Sequence, residues 1–155
     1  MMNLQPNRLF LFLLLIVCSG CGVFSVPQFK MPTSLDVEVL RWEDSKPYIR
    51  TKAICYNQNN IGFQFKGGTV DVRLDTLLLG HAIIDTTFFV PAHTEFKVPA
   101  YLLIDLPYLS QHGLKFDSTV VHIDGKFKGT AMGITKSMHV VYTGKHNINL
   151  IMKPF

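Results

Sequence analysis

The sequence predicts an all-β protein, an immunoglobulin- or fibronectin-like antiparallel β-sandwich with one short helix. Three observations carry that expectation. Apolar and charged residues alternate with a period of two in several separate stretches, turn-forming residues punctuate the chain at short intervals, and only one stretch has the start and stop signals of a helix. The 155 residues are 48% hydrophobic and 17% charged, enough apolar material for one folded core and too much for a disordered, hydrophilic stress protein. One domain is expected.

The chain opens with MMNLQPNR, polar with the single cation Arg8 and no acid, and continues into the apolar run Leu9 to Val17. Small residues Ser19 and Gly20 then precede Cys21. A cationic start, a short apolar run and a small-residue cleavage site form a secretory signal, here 1–20, and the run is shorter than the roughly 20 residues a spanning helix needs. Small-small-Cys resembles the lipobox of bacterial lipoproteins, which implies a diacylglyceryl group on Cys21 and a membrane as partner through that lipid. Cys18 stands where the lipobox usually has an aliphatic residue. The competing readings are a plain signal with an incidental cysteine and an uncleaved anchor helix.

Residues 21–32 are expected as the lipidated N-terminus and an extended tether, because 22–32 hold two prolines and no period. The domain proper is 33–155. Its first strand is Leu35, Val37 and Val39 alternating with Asp36 and Glu38. A β-rich stretch covers Ile49 to Tyr56, and Val70, Val72 and Leu74 alternate with Asp71, Arg73 and Asp75. Further stretches run from Ala82 to Val90 and from Glu95 to Asp105, and Val121, Ile123 and Phe127 alternate with His122, Asp124, Lys126 and Lys128. Met138 to Thr143 and Ile148 to Met152 complete the set. Turns are expected at Asn57 to Asn60, Gly67-Gly68, Gly80, Pro91 to His93 and Thr143 to Lys145. The helix is expected from Pro107 to Leu114, with proline in its first turn and Gly113 near its end.

Chemistry-bearing residues are sparse in pattern. With Cys18 removed and Cys21 acylated, Cys55 has no disulfide partner and reads as a small buried hydrophobe. His81, His93, His112, His122, His139 and His146 fall in no metal-ligand spacing, and no nucleophile elbow or phosphate loop occurs. Asp71, Asp75 and Asp85 could work as acid and base only if strands converged them, and Asp71 and Asp75 sit on the charged face. The reading is therefore no catalytic residue, no cofactor and no metal. Removing 1–20 leaves 14 cations, scattered singly, against 11 acids, so nucleic acid is not an expected partner. The aromatic residues Phe88, Phe89, Phe96, Tyr101, Tyr108, Phe116 and Phe127 are expected in the core; the alternative is that some of them, Phe88 and its neighbours, line an apolar groove.

The stretch from Ile54 to Pro99 resembles the late embryogenesis abundant type 2 family, the water-stress and hypersensitive-response domain. The matching features are the strand ending in Asn57, the pattern Phe63 to Gly68, the strand Val70 to Leu74, Leu79-Gly80, and the strand after Val90-Pro91-Ala92. Gln58 stands where the family usually has proline. The resemblance implies an immunoglobulin-like sandwich without a cofactor and an association with desiccation or stress protection.

The expected function is a non-enzymatic, membrane-tethered module that protects or binds apolar ligands. Its place is the cell envelope, on the outer membrane facing the periplasm, since Gly22 after Cys21 is not an acidic retention residue. The alternative is a structural accessory subunit docking on another envelope protein through a strand edge or an apolar patch.

Overall fold

The computed structural model describes residues 24–113 and 116–152, so the expected signal segment, Cys21 and Leu114 lie outside the described residues. Nine strands and one short helix follow in order: β1 (Gln28–Phe29), β2 (Ser34–Glu43), β3 (Lys46–Tyr56), β4 (Phe63–Leu74), β5 (Leu77–Ile84), β6 (Phe88–Val90), β7 (Glu95–Leu103), α1 (Leu106–Gln111), β8 (Thr119–Ala131) and β9 (Ile134–Met152). The all-β class is as the alternation predicted.

The strands join into one sheet in the order β1-β3-β2-β9-β8-β4-β5-β7, with β6 beside β4. The sheet bends round until β7 pairs with β3 from Tyr48↔Leu103 to Tyr56↔Glu95, so one face closes on itself around the core. Alternation is the cause. Leu35, Val37 and Val39 of β2, Val70 and Leu74 of β4, and Val121, Ile123 and Phe127 of β8 are all buried, while Asp36, Arg73, Asp124, Lys126 and Lys128 are exposed.

Several expectations need correction. The sheet is mixed and not wholly antiparallel, because β2 runs parallel to β9 from Ser34↔Asn147 to Val39↔Met152. The two expected C-terminal strands are one strand of 19 residues, whose first part pairs with β8 and whose last six residues outrun β8 and pass to β2. Thr143 to Lys145 is therefore no turn. Gly144 lies within the strand, where a Cβ would stand 2.1 Å from the Tyr142 hydroxyl.

Gly67-Gly68 is likewise a bulge inside β4, where the register against β8 shifts between Phe65 and Gly68. Gly67 has φ +86°, and a Cβ there would meet the Ile84 carbonyl oxygen at 2.3 Å. Gly80 lies inside β5. Two turns had no glycine-rich signal: Asp44-Ser45 joins β2 to β3 with both residues at positive φ, as a type I′ hairpin requires, and Asp75 is also at positive φ between β4 and β5.

The segment expected as a free tether lies on the domain. Phe29 of β1 pairs opposite Cys55, Pro27 is buried, and Phe24 packs edge-on against Phe63 at 5.0 Å between ring centres. Helix α1 starts one residue before Pro107. Asp105 caps it by accepting from the Tyr108 N–H, and Leu109 buries its inner face.

Candidate functional site

The ionisable residues gather on the outer face of the sheet, where antiparallel pairing brings Asp71 opposite both His81 and Asp124. His81 Nδ1 contacts Asp71 at 2.5 Å and His139 Nε2 contacts Asp124 at 2.7 Å. Hydrogen bonding from His139 is the main cause that holds the Asp124 carboxyl below the usual carboxylate range. These are solvated cross-strand pairs on an open face. His122 bonds Thr143, His93 bonds Asn60, and His112 bonds the Tyr108 carbonyl. Among the described residues no group of three potential ligands is placed to hold a metal ion. Asp75 accepts from the Val120 N–H in its turn, and Asp85 is exposed, so the three aspartates do not converge.

Cys55 is fully buried opposite Phe29, and burial alone pushes its thiol pKa up to about 12. That is the reverse of an activated nucleophile. His146 is the buried histidine: it bonds the Tyr142 hydroxyl and the Pro32 carbonyl, each at 2.7 Å. The carbonyl can only accept, so Nδ1 carries a proton, and in the neutral ring Nε2 accepts from Tyr142. This arrangement ties the N-terminal segment to β9.

The concave feature is apolar. A cavity of about 60 Å³ lies inside the closed sheet, lined by Val37, Ile49, Val70, Leu102, Ile123 and Phe127 among others. A second cavity of about 60 Å³ shares Val37, Ile49, Leu74, Leu79 and Ile148 with it and extends to Trp42, Leu109 and Phe116. Those last three residues also line an open groove of about 570 Å³ beneath α1, together with Ser45, Leu106, Pro107 and Ser110. The two cavities and the groove thus share lining residues in sequence, from the core to the end of the molecule that holds the β2–β3 turn and α1. Leu109 stands between groove and core.

Sequence reasoning located part of this. Phe116 lines the mouth, while Phe96 and Phe127 are core. Phe88 stacks on Phe65 at 5.1 Å and is half-buried, and Phe89 and Tyr108 are exposed. Trp42 was missed: on β2 it follows Leu40 and Arg41 past the clean alternation, where a bulge between Val39 and Arg41 shifts the register.

The fold defines the class of the chain as an all-β domain with a closed mixed sheet. No family model and no curated protein matches it. A crystal structure of a protein from Archaeoglobus fulgidus is similar over 80% of this chain and all of that one, with a TM-score of 0.48 and 11% identity. Among the described residues no helix is long and apolar enough to cross a membrane.

Proposed function

We propose that the protein is a non-enzymatic lipoprotein, held to the outer membrane by lipid on Cys21, whose domain receives an apolar ligand through the mouth beneath α1. The carrying observation is the largely apolar groove lined by Trp42, Leu109 and Phe116, residues that also line the cavity next to the core. The groove has the volume of a small-molecule site, and the cavities behind it, smaller than a benzene-sized void of about 150 Å³, take only the end of a chain. A slender hydrocarbon fits that sequence of spaces; a sugar or nucleotide would leave its polar groups unpaired. Membership of the late embryogenesis abundant type 2 family and a protective role under water stress belong to the same reading, through the resemblance of Ile54 to Pro99.

Mass spectrometry of organic extracts from natively purified protein tests this. The expected result is an acyl-chain compound in the wild type that is lost from Phe116→Asp and Leu109→Trp. A wild-type extract without any apolar compound, and no displacement of an apolar fluorophore by fatty acid, would refute it.

The accessory-subunit reading is favoured by one observation. β5 and β7 share the single register pair Ile83↔Tyr101, and Ile83, Leu78 and Leu103 beside that seam are exposed. Crosslinking from Ile83→Cys to an envelope protein, with no apolar compound bound, would favour it.

A further inference from the structure

We infer that the end of the domain carrying the β8–β9 turn rests on the membrane, inserting Met132 and Ile134 among the lipid headgroups. Its orientation follows from the chain. Phe24 is fixed on Phe63, and Ser25 exchanges hydrogen bonds with Asn59 at 2.6 and 2.9 Å. Two residues, Gly22 and Val23, separate Cys21 from Phe24, so the three steps reach at most about 11 Å. This step rests on the reading of Cys21 as the lipidated residue. A lipid there holds this end of the sheet against the bilayer.

The surface at that end suits such a place. The turn between Ala131 and Ile134 consists of Met132 and Gly133, both at positive φ, and Met132 is 87% exposed. Left-handed turn positions favour glycine, asparagine or aspartate, so a long apolar side chain here is strained without being buried. Ile134 is 72% exposed beside it. The next row across the sheet, Thr135, Thr130, Gln64 and Phe89, brings in Phe89, 63% exposed, and Ile61 lies just beyond through Gly62. Water is a poor partner for this group.

Charge points the same way. The hairpin arms carry Lys126, Lys128 and Lys136, and no acid occurs from Gly125 to Met152. At the opposite end the turns and the helix cap carry Glu43, Asp44, Asp75, Asp105 and Asp117, of which Glu43 pairs with Arg41 and Asp105 with Lys46. An anionic headgroup layer favours the first end over the second, and each lysine near the surface favours binding about fivefold. Lysine stems can lie along the apolar surface while the ammonium groups stay among the phosphates.

Trp42, the sole tryptophan, lies at the far end and serves as an internal control. The purified full-length product is reconstituted into vesicles of phosphatidylcholine and phosphatidylglycerol containing lipids brominated along the acyl chain. The Trp42→Phe/Met132→Trp variant, and Trp42→Phe/Ile134→Trp beside it, should show blue-shifted emission quenched by bromine, whereas Trp42 in the unmodified protein should show no quenching. Lys128→Gln/Lys136→Gln should reduce the gain from phosphatidylglycerol by about 25-fold in vesicle partitioning of protein released from its acyl chains.

Solvent-like, unquenched emission from both tip reporters in vesicle-bound protein, or quenching of Trp42, would overturn the orientation. Intact mass decides the anchor separately. If Cys21 carries no acyl group, the anchor reading falls while the same quenching pair still decides the tip, and protein that then fails to bind vesicles refutes both.

Discussion

Replacing Asn57 by Ala should cost the domain about 3–5 kcal/mol and loosen its N-terminal segment first. The side chain is fully buried and makes four hydrogen bonds: its amide donates to the Ile61 and Pro91 carbonyls at 3.1 and 2.9 Å, and its oxygen accepts from the backbone and side-chain nitrogens of Asn59 at 3.1 and 2.8 Å. A buried hydrogen bond contributes about 1 kcal/mol net, and partners left unpaired add about 1–3 kcal/mol where they stay dry. Against a total stability of about 5–15 kcal/mol, the loss is large. Asn57→Asp separates donor from acceptor, since a carboxylate still accepts from Asn59 but cannot donate to the two carbonyls. Urea unfolding monitored by circular dichroism measures the change at constant m-value, and hydrogen exchange reads the amide of Ser25, which Asn59 holds. A loss under 1 kcal/mol for Asn57→Ala, with unchanged exchange at Ser25, would show that this network does not position the N-terminus.

Val72→Asp should unfold the domain or lower its melting temperature by many degrees, because Val72 lines the interior cavity and an unpaired carboxylate there costs several kcal/mol; a melting scan within a few degrees of wild type would contradict that register. Cys55 should resist iodoacetamide at pH 8 in the folded protein and react fully in urea, as a buried thiol with a pKa of about 12 must; rapid native labelling would show the site to be open. Asp124 titrates low because of His139, so the ionised carboxylate is favoured by folding, and that contribution is present above the ordinary carboxylate range and lost as pH falls through the depressed value. His139→Ala should raise the Asp124 titration seen by NMR toward the ordinary range. Cys21→Ala should abolish palmitate labelling and leave unprocessed precursor while Cys18→Ala changes little; labelling that persists in the Cys21 variant would replace the anchor by a plain secretory signal.

Strand periodicity was legible wherever one face is buried, as in Leu35 to Val39 and Val121 to Phe127, because burial forces alternation. Glycines were the weak signal. Gly67, Gly68, Gly80 and Gly144 read as turns from composition, yet each lies within a strand, and at Gly67 and Gly144 a neighbouring atom leaves no room for a Cβ. Local sequence does not report such neighbours. The parallel β2–β9 pair was hidden for a related reason: it joins residues 113 apart, and no connection between them marks the pairing. The apolar mouth was legible only in part. Phe116 stood out as apolar, but which of the aromatic residues converge depends on the sheet closing through β3 and β7.

The two proposals constrain each other through the length of β3. Its 11 residues run from the turn beside the mouth to the Asn57 network beside Phe24, about 35 Å at strand rise. If the Met132 end rests on the anchoring bilayer, the groove under α1 faces away from it, across water and behind the acidic residues Asp44 and Asp105. An apolar ligand then cannot slip from the anchoring leaflet directly into the mouth. It has to be delivered from the aqueous side, by a soluble carrier, a partner protein or an opposed membrane. Transfer of a fluorescent fatty acid should therefore run faster from donor vesicles mixed with anchored protein than from the acceptor vesicles that carry it. The opposite ranking would place the mouth, and not the β8–β9 turn, against the membrane.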